Sequence, residues 1–245
     1  MNKVKLFCFP YAGGAASAYN RWKLLAGESV EVIPVELAGR GRRMREPLYQ
    51  NMQEALDDLY NGVLTQIAGS SYAFWGHSMG GAIAFELSRK LIANKERGPV
   101  HLFISGRCPP SVYKESTILH NLPLPALKEE IMSMGGTQNS IFENPELLEL
   151  FIPILRADFK LIEEYEYSAY NLKNLKIDCG ITAFSGTRDF LATYEDMRFW
   201  KNHTYGPVET YEFEGDHFFI RNSEEEIMKI IDRRLSALST EVSFA

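Results

Sequence analysis

The sequence predicts an α/β fold, a mostly parallel and doubly wound sheet carrying a helical insertion. Three observations predict it. Apolar runs of strand length recur six times, and most are continuous rather than alternating, as strands covered on both faces require. Helical patterns separate most of these runs, which is the rhythm of strand–helix–strand units. Between the fourth and fifth runs, about seventy residues hold no convincing strand, and so long a departure inside a compact domain serves function or motion.

The first strand, residues 4–9, is short and closed by Pro10, which reads as a strand and not as a signal peptide. The second covers 30–35. A helix over 51–68 leads to the third strand, 72–76, and a helix over 80–95 follows at once. The fourth strand is 100–105. These runs are rich in Val, Ile, Phe and Tyr and end at Gly or Pro. The insertion, 109–167, holds Pro109-Pro110, Pro123, Pro125, Gly135-Gly136 and Pro153 between helical patterns. It is expected to lie as a lid over the C-terminal edge of the sheet, where open α/β sheets bind ligands. A fifth strand at 179–184, a helix over 194–202, a sixth strand at 208–213 and a final helix over 223–238 complete a single domain, 1–245. Ser223 and Glu226 stand in capping-box spacing at the start of that helix.

Composition narrows the classes. The 245 residues include 26 Lys and Arg against 32 Asp and Glu, a net charge of −6. With no basic block, neither nucleic acid nor an anionic membrane is an expected partner. No apolar stretch approaches the roughly 18 residues of a membrane span. Cys8, Cys108 and Cys179 are far apart and form no CxxC pair, so free thiols and a cytoplasmic setting are expected. HxE, CxxC and P-loop patterns are missing, so no metal or nucleotide cofactor is expected. The protein is expected to be monomeric.

The chemistry is concentrated in WGHSMGG, residues 75–81. A serine flanked two residues away on each side by glycine, after a strand and before a helix, is a nucleophile elbow. The turn is so tight that Gly76 and Gly80 must lack side chains, and the Ser78 hydroxyl is lifted clear of the sheet. The Met79 N–H, at the helix start, can stabilise an oxyanion. Serine needs a base, and the base an orienting acid, in the chain order Ser, acid, His. Of five histidines, His217 follows the last strand on a loop from which it can reach Ser78. His77 is on the wrong side of the turn, His101 opens a strand, His120 is in the insertion and His203 in a polar loop. Asp189 stands just past the fifth strand and is favoured as the acid. Asp216 adjoins His217 in sequence and is better placed for a salt bridge or a loop hydrogen bond. A second oxyanion donor comes from the loop of residues 9–17, where Ala12 and Gly13 are the candidates. Tyr11 and Gly13 are also candidate substrate contacts.

These segments resemble a known family. CFPYAGG, VELAGRG, FWGHSMGG, PILRADFKLIEEYEY, FSGTRD and EGDHFFI together are similar to the type II thioesterases, the free-standing editing enzymes of nonribosomal peptide and polyketide synthases. The likeness runs from about residue 4 to residue 232. It implies an α/β-hydrolase fold and hydrolysis of acyl or aminoacyl groups from the phosphopantetheine thiol of carrier proteins. It maps the triad onto Ser78, Asp189 and His217, and the oxyanion donors onto Ala12 and Met79. A medium-chain fatty acyl-carrier-protein thioesterase, a small-ester esterase or an acyltransferase are rival readings. A carrier-binding module without activity is another, opposed by the complete set of catalytic residue types.

Two further expectations concern access and docking. Leu127, Ile131, Met132 and Met134 are expected to wall an acyl channel in the insertion, with ordinary packing as the alternative. The family's carrier partners present an acidic helix, as the resemblance implies, yet this chain is itself acidic. Attraction would need a local patch, because screening confines charge effects to about 8–10 Å at physiological salt. Arg40, Arg42, Arg43 and Arg45 are the candidates, unless they pair with Glu36, Glu46 or the insertion.

Overall fold

Among the described residues, six strands form one sheet in the order β2-β1-β3-β4-β5-β6, all parallel. They are β1 (Val4–Phe9), β2 (Val30–Pro34), β3 (Tyr72–His77), β4 (His101–Ser105), β5 (Gly180–Gly186) and β6 (Val208–Phe213). The computed structural model describes residues 3–114, 117–135, 142–165 and 175–242. Parts of the predicted 109–167 insertion, residues 115–116, 136–141 and 166–167, lie outside the described residues.

The continuous apolar runs are explained by burial on both faces. Every residue of β3, β4 and β5 is buried, whereas the edge strands β2 and β6 are partly exposed. Successive side chains of a strand point to opposite faces, so each strand feeds two cores. On one face Phe7, Phe9, Phe74, Ile104 and Ala183 pack with Leu56 and Leu59 of helix Met52–Ile67 and with Ile83 and Leu87 of helix Met79–Ala93. On the other, Leu6, Cys8, Trp75, Phe103 and Phe184 meet Trp22 and the Ile227, Met228, Ile231 and Leu235 stripe of the C-terminal helix, Ile220–Val242. Cys8 is buried and Cys108 and Cys179 are half-buried, all three as free thiols. No helix among the described residues is long and apolar enough to cross a membrane.

Among the described residues, the insertion's two longer helices are Leu124–Ser133 and Pro145–Glu163. They share a separate small core of Leu119, Leu127, Ile131 and Leu155, against which Ala12 of the body packs. The second begins on an Asn144 side chain that accepts from the Glu146 and Leu147 N–H groups. Arg156 ties it to the preceding turn by donating to the carbonyls of His120 and Leu122.

Two local expectations are corrected. The final helix starts at Ile220, three residues before the expected cap, so Ser223 and Glu226 form no capping box. Glu224 and Glu225 of the same stretch are drawn instead to Arg21, and Glu224 also accepts from the Trp22 indole. The helix expected over 194–202 is one α-turn, Tyr194–Met197, capped by Thr193 and Asp196, that tightens into a 3-10 turn, Arg198–Asn202.

Candidate active site

Ser78 caps helix Met79–Ala93 with φ 54 and ψ −116, one of two non-glycine residues with positive φ among those described. Its N–H donates to the Ser105 carbonyl at the end of β4, 2.8 Å away. The flanking glycines are a steric requirement. A Cβ on Gly76 would lie 2.0 Å from the Gly80 carbonyl oxygen, and one on Gly80 would lie 2.2 Å from that of Phe9. Backbone cannot yield as a side-chain tip can, so the turn admits no substituent at either position.

His217 lies on the loop between β6 and the C-terminal helix, and its Nδ1 is 2.9 Å from Asp189 Oδ2. Both residues are buried. The other carboxylate oxygen of Asp189 accepts the Leu191 and Ala192 N–H groups at 3.0 and 3.3 Å. Held this way, Asp189 assigns the ring proton to Nδ1 and leaves Nε2 as the basic nitrogen. The His217 ring fits because Gly106 has no side chain. A Cβ there would approach His217 Cε1 to 3.0 Å. Gly106 directly follows Ser105, whose carbonyl holds Ser78, so the histidine packs one residue away from the elbow's anchor.

Asp216 bonds within its own loop, accepting the Phe218 N–H at 2.8 Å, while its carboxylate packs against Gly135 at the end of the first insertion helix. The remaining histidines are engaged elsewhere. His77 Nδ1 is 2.9 Å from Ser105 Oγ, and burial, then His217 and Arg221, hold its pKa well below the usual histidine value. His101 pairs with Thr182 Oγ1, and burial pushes it down to about 3. His203 pairs with Ser111 and is pushed down to about 4, mainly by burial. His120 pairs with Glu163 inside the insertion.

Met79 opens its helix, so its N–H belongs to the first turn, whose donors have no partner within the helix. Of the two candidate donors in the early loop, Gly13 is corrected. Its N–H is taken by Asp158 Oδ2 at 2.7 Å, and its α-carbon faces Phe151 and Leu155 of the second insertion helix. The Ala12 N–H makes no hydrogen bond among the described residues, which leaves it as the available donor. Tyr11 is half-buried and makes edge contacts with the His77 and Phe218 rings, with centroids 5.9 and 5.0 Å apart.

The arginines separate. Arg40 is 3% exposed and forks Asp158, with Nη1–Oδ2 at 2.5 Å and Nη2–Oδ1 at 2.7 Å, so it presents no charge to a docking partner. Arg43 is committed to Asp58 and Glu46. Arg42 and Arg45 are exposed. Arg42 also lines an open groove of about 670 Å³ between β2 and helix Met52–Ile67, in which none of Ser78, Asp189 and His217 takes part. Leu127 and Ile131 are buried in the insertion's own core, Met134 packs against that core and Met132 is half-buried, so the first two are packing residues and not channel wall. Asp158 was not singled out from the sequence. Its signal was there: an aspartate on the helix face that carries Leu155 and Leu161 breaks an otherwise apolar stripe. Among the described residues, no group of His, Cys, Asp and Glu is arranged to hold a metal ion.

A parallel sheet with a serine held at positive φ on a strand–helix elbow, and a His–Asp pair on the loops after β5 and β6, defines an α/β-hydrolase. The chain belongs to the thioesterase family, whose domain model matches residues 4–235. It is 34% identical over 96% of its length to linear gramicidin dehydrogenase LgrE of Brevibacillus parabrevis, covering 89% of that protein. It is 30% identical over 91% of its length to the medium-chain S-acyl fatty acid synthase thioesterase of Rattus norvegicus, covering 83% of it. Among solved structures, ClbQ from the colibactin NRPS/PKS pathway superimposes with a TM-score of 0.90 at 35% identity, covering 98% of this chain and 99% of that one.

Proposed function

We propose that this protein is a serine thioesterase that removes acyl or aminoacyl groups from the phosphopantetheine thiol of carrier proteins in a nonribosomal peptide or polyketide synthase. The observation that carries the reading is the His217–Asp189 pair, 2.9 Å apart and buried, beside the strained Ser78 elbow. The thioesterase family match and the similarity to ClbQ support the reaction class and the setting. The name of LgrE speaks of a dehydrogenase, but the first strand–helix turn here reads Pro10-Tyr11-Ala12-Gly13-Gly14, not the G-x-G-x-x-G of a dinucleotide site.

Ser78 Oγ attacks the thioester carbonyl as its proton passes to His217 Nε2. The carbonyl oxygen becomes an oxyanion held by the Met79 and Ala12 N–H groups, each such donor being worth about 2.7–4 kcal/mol. Asp189 keeps the ring oriented and stabilises the imidazolium. The C–S bond breaks and the pantetheine sulfur leaves with the proton from His217. Water then attacks the acyl-serine, His217 takes its proton, and the free acid departs as Ser78 regains its hydrogen. No cofactor takes part, since the pantetheine arm belongs to the substrate. The protein works as a cytoplasmic monomer, and Arg42 and Arg45 meet the acidic helix of the carrier.

The test is a panel of carrier proteins loaded with aminoacyl, short-acyl and medium-chain acyl groups, scored by mass for loss of the group. Deacylation of carriers from modular synthases, abolished in Ser78→Ala, is the expected result. Deacylation restricted to medium-chain fatty acyl carriers would favour the second reading, which the rat relative supports. No deacylation at all, or Ser78→Ala within tenfold of wild type, would overturn the proposal.

A further inference from the structure

The insertion reaches into the loop that carries the second oxyanion donor, and it does so through a buried ion pair. Asp158 on helix Pro145–Glu163 is 1% exposed and Arg40 is 3% exposed. The two are joined by two parallel bonds at 2.5 and 2.7 Å. The same two side chains also grip the turn at residues 11–14. Asp158 Oδ2 accepts the Gly13 N–H at 2.7 Å, and Arg40 Nη1 donates to the Gly14 carbonyl at 3.1 Å. Inside the turn, the Gly14 N–H donates to the Tyr11 carbonyl at 2.8 Å.

The consequence follows from peptide planarity. The Tyr11 carbonyl and the Ala12 N–H belong to one trans peptide unit, in which they point in opposite directions. Fixing the Tyr11 oxygen by Gly14 therefore fixes where the Ala12 N–H points. The Gly14 carbonyl is in turn held by Arg40, and the Ala12–Gly13 peptide unit by Asp158. Gly13 can serve here because its φ of +75 suits glycine, and because a side chain would meet Phe151 at 2.9 Å. A carboxylate buried with a guanidinium in a planar fork has one geometry, whereas a water-exposed loop of glycines has many.

We propose that Asp158 and Arg40 are positioning residues for catalysis: they hold the Tyr11–Gly14 turn so that the Ala12 N–H is aimed at the developing oxyanion, and they make that aim depend on the seating of the second insertion helix. This rests on the serine thioesterase reading. It assigns a role to an ion pair whose hydrogen bonds go to the Tyr11–Gly14 turn and not to Ser78 or His217.

The test uses Asp158→Asn, which keeps the shape and one acceptor but removes the charge, and Arg40→Lys, which keeps the charge but loses the fork. Each is assayed on a small acyl thioester for kcat and KM separately. Each is also measured for affinity toward an acyl trifluoromethyl ketone, which adds to the active-site serine as a tetrahedral oxyanion. A misplaced donor predicts kcat down by about tenfold to a hundredfold and KM within about threefold. Ketone affinity should fall in parallel with kcat/KM. The double variant should lose no more than the worse single, because the two act as one unit. The melting curve of each variant identifies those that fold, and the comparison uses those. If Asp158→Asn does not fold, Arg40→Lys decides alone. Retention of kcat within threefold in a folded variant overturns the inference. So does a loss of kcat with ketone affinity unchanged, or a rise in KM alone, which would assign the pair to substrate access. Failure of the wild type to hydrolyse any thioester is a separate outcome and defeats the underlying reading instead.

Discussion

Replacing Ser78 by glycine should make the protein more stable while ending its chemistry. Ser78 is held at φ 54 and ψ −116, a conformation that a residue bearing a Cβ avoids. Holding such a residue in a sparsely populated region costs about 1–3 kcal/mol. Glycine removes that cost but brings a more flexible unfolded chain, which gives back about 0.5–1 kcal/mol. The Ser78 side chain makes no capping hydrogen bond, so no native contact of that kind is lost. The net gain is centred on about 1 kcal/mol and is at most about 2.5 kcal/mol. In a chain of this size each kcal/mol raises Tm by about 2–4 °C, so the midpoint should rise by about 2–4 °C and by no more than about 10 °C. Ser78→Ala is the control, because it removes the hydroxyl but keeps the Cβ and therefore the strain. Its Tm should stay within about 1 °C of wild type. Calorimetry of the three proteins in one buffer, with thioester hydrolysis measured alongside, separates the two effects. A Ser78→Gly protein melting at or below Ser78→Ala would refute the reasoning, since the elbow would then carry no releasable strain.

Other outcomes follow from the same site. Asp189→Asn should lower kcat by about four orders of magnitude by inverting the ring tautomer, while Asp216→Asn, whose oxygen only accepts from its own loop, should stay within about tenfold. The reverse ranking in kcat/KM would exchange their roles. His101 is buried neutral with its pKa pushed down to about 3, whereas in the unfolded chain it titrates near the ordinary histidine value. The unfolded state therefore binds the extra proton first, and stability falls as pH drops below about 6.5, by about 2 kcal/mol from this residue at pH 5. Denaturant titrations at pH 7 and pH 5 should show a shallower fall in His101→Gln, and an equal fall would contradict the assignment. Reversing Arg42 and Arg45 to Glu should raise KM for an acyl carrier protein several-fold through slower association, and leave turnover of a small acyl thioester unchanged. Equal loss on both substrates would make the two arginines part of the fold.

How much of this could be read from the sequence depended on whether the cause was local. The strands were legible to within a residue or two because burial on both faces writes itself as an uninterrupted apolar run. The fifth strand was placed at 179–184 and runs Gly180–Gly186, extended by pairing of Gly186 with Phe213 of β6, which no local pattern records. Ser78 was legible because its glycines are a steric necessity of two residues on either side. The expectations that failed depended on distant partners. Ser223 and Glu226 had the spacing of a cap, but Arg21 and Trp22, some two hundred residues away in the chain, recruit the acidic start of that helix. Arg40 looked like one of four loop arginines, yet its partner Asp158 lies 118 positions on. Helical periodicity likewise announced an apolar face around Leu127 and Ile131 but not what that face would meet, which is the insertion's own core.

The strand order has a consequence in time. After β3 joins β1, each later strand adds to the same growing edge, β4 to β3, β5 to β4 and β6 to β5, in the sequence in which the chain leaves the ribosome. From β3 outward, the order of the strands in the chain is therefore their order in space. Ser78 follows β3, Asp189 follows β5 and His217 follows β6. The residues gathered around Ser78 are thus supplied by the last two strand-to-helix connections, and the constellation depends on the whole sheet being built. The C-terminal helix, which covers Trp75 and Phe184 on the second face, comes after all six strands.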